Sequence, residues 1–265
     1  MKLRDFINRY ILFGGVRLSK GTSDGELAEF FSLVHPVKTE HQLVRIGGPN
    51  DGGYLVPDDF KGIKVCFSPG VAASAHFEEA LANRGIKSFL ADYSVECPPI
   101  KNPFFFFEKK FLGTKNNEMY TTLASWIDRN APQEEEMILQ MDIEGAEYSV
   151  ILSTPEEIMR KFRIIVIEFH NLEQLAERSG FQLVNLTFSK LLSDFDIVHI
   201  HPNNCTQTLR YRNYDLPPVM EFTFLRKNRV SLRLAVTDFP HPLDCANLTS
   251  RKDHVLPICW RGKSR

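Results

Sequence analysis

The 265-residue chain lacks an excess of either charge: 32 basic residues against 33 acidic ones leave a formal net charge of -1. That balance excludes the broad basic face that nucleic acid or an anionic membrane would require. It also lacks paired cysteines. Cys66, Cys97, Cys205, Cys245 and Cys259 are scattered and odd in number, so they predict no closed disulfide framework and point to a reducing, cytoplasmic setting. No apolar run is long enough to span a bilayer. The N-terminal "MKLRDFINRYILFGGVRL" is broken by Arg4, Asp5 and Arg9, which makes it too charged for a secretory core and too short for a membrane span. Its Phe6, Arg9, Tyr10 and Phe13 follow a helical repeat and predict an amphipathic helix. In the absence of a signal peptide, the N-x-[ST] triplets at Asn185, Asn204 and Asn247 read as chance matches. There is no internal repeat, and no G-x-G-x-x-G, so a conventional phosphate cradle is not expected.

Phenylalanine, by contrast, is abundant, with 21 residues, and implies a deep core or an apolar pocket. Four short apolar runs end in polar or glycine residues: "GIKVCFSPG" (62–70), "IKSFLADYS" (86–94), "EMILQMDIEG" (136–145) and "FRIIVIEFH" (162–170). Helix-length segments separate them, which is the pattern of buried parallel strands in βαβ units. Among those segments, "SAHFEEALANRG" stops at Gly85, "YTTLASWIDRNAP" stops at Pro132, and "TPEEIMRKF" opens with a helix-start signal. "NPFFFFEKKF" (102–111) reads as core rather than membrane insert. Later, "FDIVHIHPNN" (195–204) and "PPVMEFTFLRK" (217–227) alternate and predict an antiparallel pair. Upstream, the "NDGG" of "LVRIGGPNDGGYLV" (43–56) is a hairpin-turn signal. The sum is an open α/β sheet, mostly parallel with an antiparallel edge, preceded by a helix and hairpin extension. The expected partition is an extension over 1–42, a catalytic domain over 43–227, and a tail over 228–265 packed on the domain.

Ligands in such sheets bind beyond the carboxyl ends of the strands. After the first run, "FSPGVAAS" offers Ser68 and Gly70 at a strand-to-helix turn. After the second comes Asp92, spaced as the acid that accepts from ribose hydroxyls. Together these favour a nucleoside-bearing cofactor. Asp142, Glu144 and Glu147 crowd the end of the third run, Glu168 and His170 the end of the fourth. His201, Asn203 and Asn204 follow a later strand. Asp142, His170 and His201 are candidate general bases. Glu168, Asn203 and Asn204 are candidate substrate contacts, and Glu147 reads as the start of a helix, where an acid suits the dipole. A divalent metal held by Asp142, Glu168 and either histidine is an alternative. Asp51, in the glycine-dense hairpin loop, is placed to close over a cofactor.

The run "LQMDIEGAEYSVI" resembles the D-I-E-G-x-E signature of the FkbM-type methyltransferases. "RIGGPNDGGYLV", "HIHPNN" and "MEFTFLRK" are similar to further elements of that family. The resemblance covers roughly residues 43 to 227. It implies a Rossmann-like class I sheet of seven strands with a reversed last strand, S-adenosylmethionine as methyl donor, and a hydroxyl acceptor on a saccharide or small metabolite. A divalent metal ion remains an optional second cofactor, and a homo-oligomer is compatible. Carried over by position, Gly70 would border the methionine moiety, Asp92 would hold the ribose, and Asp142 and Glu144 would face the sulfonium and acceptor. Where many class I enzymes have several glycines, this chain has Ser68 and one glycine, and Asp51 becomes a substitute contact.

Overall fold

The computed structural model describes residues 20–72 and 74–262. The helix expected around Phe6–Phe13 lies outside them. Helix α1 (Asp24–Leu33) begins at a capping box in which Ser23 and Glu26 satisfy each other's backbone N–H groups. Short β1 (Val37–Lys38) leads to a hairpin of β2 (Leu43–Ile46) and β3 (Tyr54–Pro57), whose turn holds Gly52 at a φ of 77°. Then follow β4 (Val65–Pro69), α2 (His76–Ala82), β5 (Lys87–Ala91), β6 (Phe105–Glu108), β7 (Phe111–Leu112), β8 (Tyr120–Thr121) and α3 (Leu123–Asn130). Next come β9 (Met137–Met141), α4 (Glu147–Ser153), α5 (Glu156–Met159), β10 (Phe162–Phe169) and α6 (Arg178–Asp194). The chain continues through β11 (Phe195–Pro202), a hairpin of β12 (Leu209–Tyr211) and β13 (Tyr214–Leu216), β14 (Met220–Arg226) and β15 (Leu234–Ala235).

The main sheet has seven strands in the order β6-β5-β4-β9-β10-β14-β11. It is parallel except for β14, which pairs antiparallel with both β10 and β11. The reversed strand is therefore inserted inside the sheet, and the edge strand β11 runs with the majority. The cause is the connection: residues 203–219 fold as a hairpin without a crossover helix, and such a link joins antiparallel neighbours. The central strands are buried along their whole length, which accounts for their unbroken apolar runs. "FFFF" supplies the other edge strand β6, where Phe106 remains 43% exposed. The segment 178–194, which carries no sharp start or stop signal, forms the longest helix of the described residues.

The two faces of the sheet differ. One packs Leu139, Met141, Ile165, Ile167, Phe222 and Phe224 against α1, α3, α4 and α6. The other packs Ile138, Ile164, Val166 and Leu225 against the β2–β3 hairpin and α2. The hairpin is held there by the Thr223 hydroxyl, which donates to the Leu55 carbonyl at 2.6 Å. Below it, buried Asp59 receives the guanidinium groups of Arg163 and Arg229.

Gly70 has a φ of 91°, and a Cβ there would lie 1.5 Å from the Asp142 carbonyl oxygen. The ends of β4 and β9 can meet only because this residue has no side chain. Gly85 also has a positive φ, 76°, but faces open space. Gly70→Ala is therefore expected to lower the unfolding free energy by about 3 kcal/mol or more, and Gly85→Ala by about 1 kcal/mol. Urea midpoints of the two variants would check the order, and equal losses would refute the backbone-approach argument.

Candidate functional site

The site forms where four adjacent strands bring polar groups to one row. Glu168 of β10 stands directly opposite Glu221 of β14, and Glu221 stands directly opposite His201 of β11. Asp142 follows the last paired residue of β9, on the other flank of Glu168. Cross-strand partners share a face, so the row lies on the face covered by the hairpin. All of these groups are at least largely buried, and Glu168 and Glu221 are 5% and 4% exposed.

The turn after β9 is shaped by Glu147. Its carboxylate is wholly inaccessible and accepts from the Ile143 and Gly145 N–H groups, each at 3.1 Å. The same Oε1 lies 3.1 Å from His170 Nδ1. That contact leaves the imidazole's Nε2 facing outward, 3.5 Å from Glu144, 3.7 Å from Glu168 and 3.8 Å from Asp142. A buried carboxylate that fixes one ring nitrogen and leaves the other free is the arrangement of an oriented general base. The Glu144 side chain is 87% exposed and stands on the rim, and its backbone takes a positive φ, 56°.

Charge sets the protonation of the row. Burial pushes the Asp142 carboxyl up to about 7; His170 opposes the shift, while Glu144, Asp51 and Glu147 add to it. Burial also raises Glu168, with Asp142, Glu221 and Asp51 reinforcing, and raises Glu221 despite the neighbouring His201. For His170, burial alone would lower the imidazole, but Glu147, Asp142 and Glu144 outweigh it and raise it. His201 follows the same logic under Asp244, Glu221 and Asp253. The buried side-chain oxygens without a hydrogen-bond partner include four of this site: Asp142 Oδ1, Glu147 Oε2, Glu168 Oε2 and Asn247 Oδ1.

The expected residues divide into two groups. Asp142, Glu144, Glu168 and His170 come together, with His201 at the far end of the row. Asn203 joins them by donating to Glu168 at 3.0 Å. Asp51 arrives from the hairpin loop, 3.4 Å from the Asn247 amide. Asp92 sits at the end of β5 as expected, and its carboxylate accepts from the Ala72 and Ser94 N–H groups and the Ser94 hydroxyl. A carboxylate offers about four acceptor sites, so one remains for a further hydroxyl.

Ser68 and Asn204 have other surroundings. Ser68 is fully buried against Glu78 and Gln140. One hydroxyl hydrogen cannot serve both oxygens, and burial, which raises Glu78, lets that carboxyl supply the second proton. Ser68 is thus an interior residue and not a rim contact. The Asn204 amide is spent on the tail: it donates to the carbonyls of Leu248 and Arg251, and accepts from the Leu248 N–H. Gly70, in turn, is explained by the approach of Asp142.

Five contributors were not singled out as site residues by the sequence: Glu147, Glu221, Asn247, Tyr54 and Asp244. Glu221 had a signal, as the lone acid in an otherwise buried strand. Glu147 was hidden by its second role as a helix start. Tyr54 is buried under the same carboxylates, and its phenol is raised by burial first and by Glu168 and Asp142 next. Asp244 accepts from the His199 ring at 2.9 Å and from the backbone N–H of His241 at 2.8 Å, and although burial opposes it, the His199 and His201 imidazoles hold it well below the usual carboxylate range. A cavity of about 670 Å³ flanks the edge strand, lined by Val37–Leu43, Val198–Ile200 and Ala235–Phe239, and shares only His199 and His241 with this neighbourhood. Asp142, Glu147 and His170 are close enough together to share one ion, but Glu147 Oε1 is already engaged by two backbone donors. No helix of the described residues is long and apolar enough to cross a membrane.

Seven strands with one reversed, and a polar row at their carboxyl ends, define a Rossmann-like class I methyltransferase fold. Residues 88–200 match the family described as Methyltransferase FkbM domain. The matched span runs from β5 into β11 and holds Asp92, Asp142, Glu144, Glu147, Glu168 and His170. No curated protein matches the chain in sequence. Among solved structures it is similar to a TehB-like SAM-dependent methyltransferase from Corynebacterium glutamicum, at 8% identity and a TM-score of 0.30, covering 84% of this chain and 97% of that one. It is also similar to a SAM-dependent methyltransferase from Archaeoglobus fulgidus, at 13% identity and a TM-score of 0.33, covering 63% and 88%.

The raised Asp142 gives a stability prediction. The folded chain keeps this proton up to about pH 7, whereas an unfolded aspartate releases it near pH ~4. Between those values the folded state binds more protons, so stability falls as pH rises through the window. Asp142→Asn is expected to raise the thermal midpoint at pH 8 and to bring no gain at pH 4. An equal change at both values, by scanning calorimetry, would refute the charge argument.

Proposed function

We propose that the chain is an S-adenosylmethionine-dependent methyltransferase that methylates a hydroxyl of a saccharide or small metabolite. The observation that carries this reading is the oriented imidazole, His170 Nε2, held by the Glu147 carboxylate beside an acidic chamber at the strand ends. The donor set fits a cationic cofactor. The unpartnered Asp142 Oδ1 and the rim carboxylate of Glu144 suit a sulfonium, and Asp92 retains one acceptor position for a ribose hydroxyl. When bound, S-adenosylmethionine supplies an activated methyl group.

The protein's share is alignment and proton removal. Glu168 and Asn203 bind the acceptor, while His170 Nε2 takes the hydroxyl proton as the oxygen attacks. Glu147 stabilises the imidazolium that results, as a buried carboxylate does for its paired histidine. His201, under Asp244 and Asp253, is more distant from Asp142 and Glu144 along the row and serves the acceptor side.

Calorimetry with S-adenosylhomocysteine is expected to give saturable binding, weakened roughly ten-fold or more in Asp92→Ala by loss of charged-group hydrogen bonds. No heat would sink the reading. With a tritiated methyl donor and a pool of hydroxylated acceptors, His170→Ala is expected to cut kcat by about 10²- to 10⁴-fold. His170 must be neutral to act, and its neighbours raise it, so the rate should climb with pH along a limb above about 6.5. Glu147→Gln should slow the reaction and move that limb to lower pH. An unmoved limb would leave Glu147 with a packing role only.

A further inference from the structure

Four buried polar side chains beneath the hairpin take no part in the chemistry above: Glu78 of α2, Ser68 of β4, Gln140 of β9 and Tyr54 of β3. They form one continuous chain of hydrogen bonds. The Ser68 hydroxyl lies against Glu78 Oε1 and 2.6 Å from Gln140 Oε1, and Gln140 Nε2 donates to the Tyr54 hydroxyl at 3.4 Å. The direction of the chain follows from counting hydrogens. Ser68 has one and stands between two acceptor oxygens, so the other must come from a neutral Glu78. Burial favours that neutral form. Glu78 then donates to Ser68, Ser68 to the Gln140 carbonyl, and the Gln140 amide to Tyr54. The phenol oxygen is thereby engaged as an acceptor, and its own hydrogen is left to point elsewhere.

The acidic row lies on that side. Gln140 and Asp142 are two apart on one strand edge and so share a face. Gln140 also stands beside Val166, two residues before Glu168 on β10. A hydroxyl at Gln140 is thus one step along the strands from both carboxylates. Asp142 Oδ1 and Glu168 Oε2 are buried there without a donor. The raised Tyr54 phenol agrees, since after burial Glu168 and Asp142 are the groups that raise it most.

We propose that Tyr54 is a positioning residue of this site, and that Glu78, acting through Ser68 and Gln140, fixes its hydroxyl to donate into the acidic row. Its role, which rests on the methyltransferase reading, is to favour the ionised form of the carboxylate it meets. That carboxylate then remains able to accept from the hydroxyl of the methyl acceptor. The competing account reverses the chain. In it an ionised Glu78 accepts from Ser68, the Gln140 amide is turned over to donate to Ser68, and Tyr54 donates to Gln140. The row then receives nothing, and Glu78 is a buried charge with no cation beside it. The two accounts differ in one proton, on Glu78.

The test reads carboxyl protons directly, through the infrared C=O stretch of protonated acids in the full chain as pH is varied. Glu78→Gln is expected to remove one band that persists at neutral pH in the unaltered chain. Tyr54→Phe keeps the ring and loses only the hydroxyl. It is expected to move the titration of the remaining carboxyl bands up by about one pH unit. Ser68→Ala, which frees the Gln140 amide to turn, should move it the same way, and Tyr120→Phe on β8 should leave it unchanged. Thermal unfolding checks that each variant is folded, and Glu78→Gln reads the direction of the chain whether or not Tyr54→Phe is stable. If Glu78→Gln removes no band, or Tyr54→Phe leaves the titration in place, the chain does not donate into the row and the proposal is overturned. In the tritium assay Tyr54→Phe should lower methyl transfer roughly ten-fold or more. Calorimetry with S-adenosylhomocysteine on the same samples separates the two claims. Cofactor bound with an unmoved titration removes the role of Tyr54 and spares the methyltransferase; a moved titration without cofactor binding does the reverse.

Discussion

The burial of like charge in a single row constrains everything around it. Asp142, Glu168, Glu221 and His201 stand side by side on four neighbouring strands. A carboxylate removed from water needs a proton, a hydrogen-bond donor or a cation. The surrounding architecture supplies donors of two kinds. Neutral amides reach Glu168 and Glu221 from Asn203 and Asn247, and imidazoles flank the row at both ends. What they leave over is a set of acidic oxygens suited to positive charge.

That row also explains the odd coverings of the sheet. The β2–β3 turn delivers Asp51, while its body is anchored through Leu55 and through the Asp59 interactions with Arg163 and Arg229. The tail delivers Asp244 and Asn247, and Asn204 secures it by bonding the backbone at Leu248 and Arg251. Residues of three remote segments thus meet over one face.

Much of the fold was legible because buried strands leave unbroken apolar runs and helices leave caps. The strand ends were legible for the same reason: Asp142, Glu168 and His170 stand where apolar runs stop. Ser68 was misplaced because its run gives no alternation to say which way each residue faces. Being buried on both sides, β4 hides its facing, and Ser68 turned out to point at Glu78. Gly70 was noticed for the right freedom and the wrong neighbour, since the atom that excludes a side chain is the carbonyl of Asp142, 72 residues away in sequence.

Sequence alone determined the alternation of strands and helices, the hairpin, and the acidic strand end "DIEG", because periodicity, capping and turn chemistry are local. Only tertiary structure decided that Glu147 orients His170, that Glu168 faces Glu221, and that Asn247 leans between Glu221 and Asp51. Those facts depend on strand order, register and the path of the tail. A shift of one residue in register would send every one of these side chains to the opposite face.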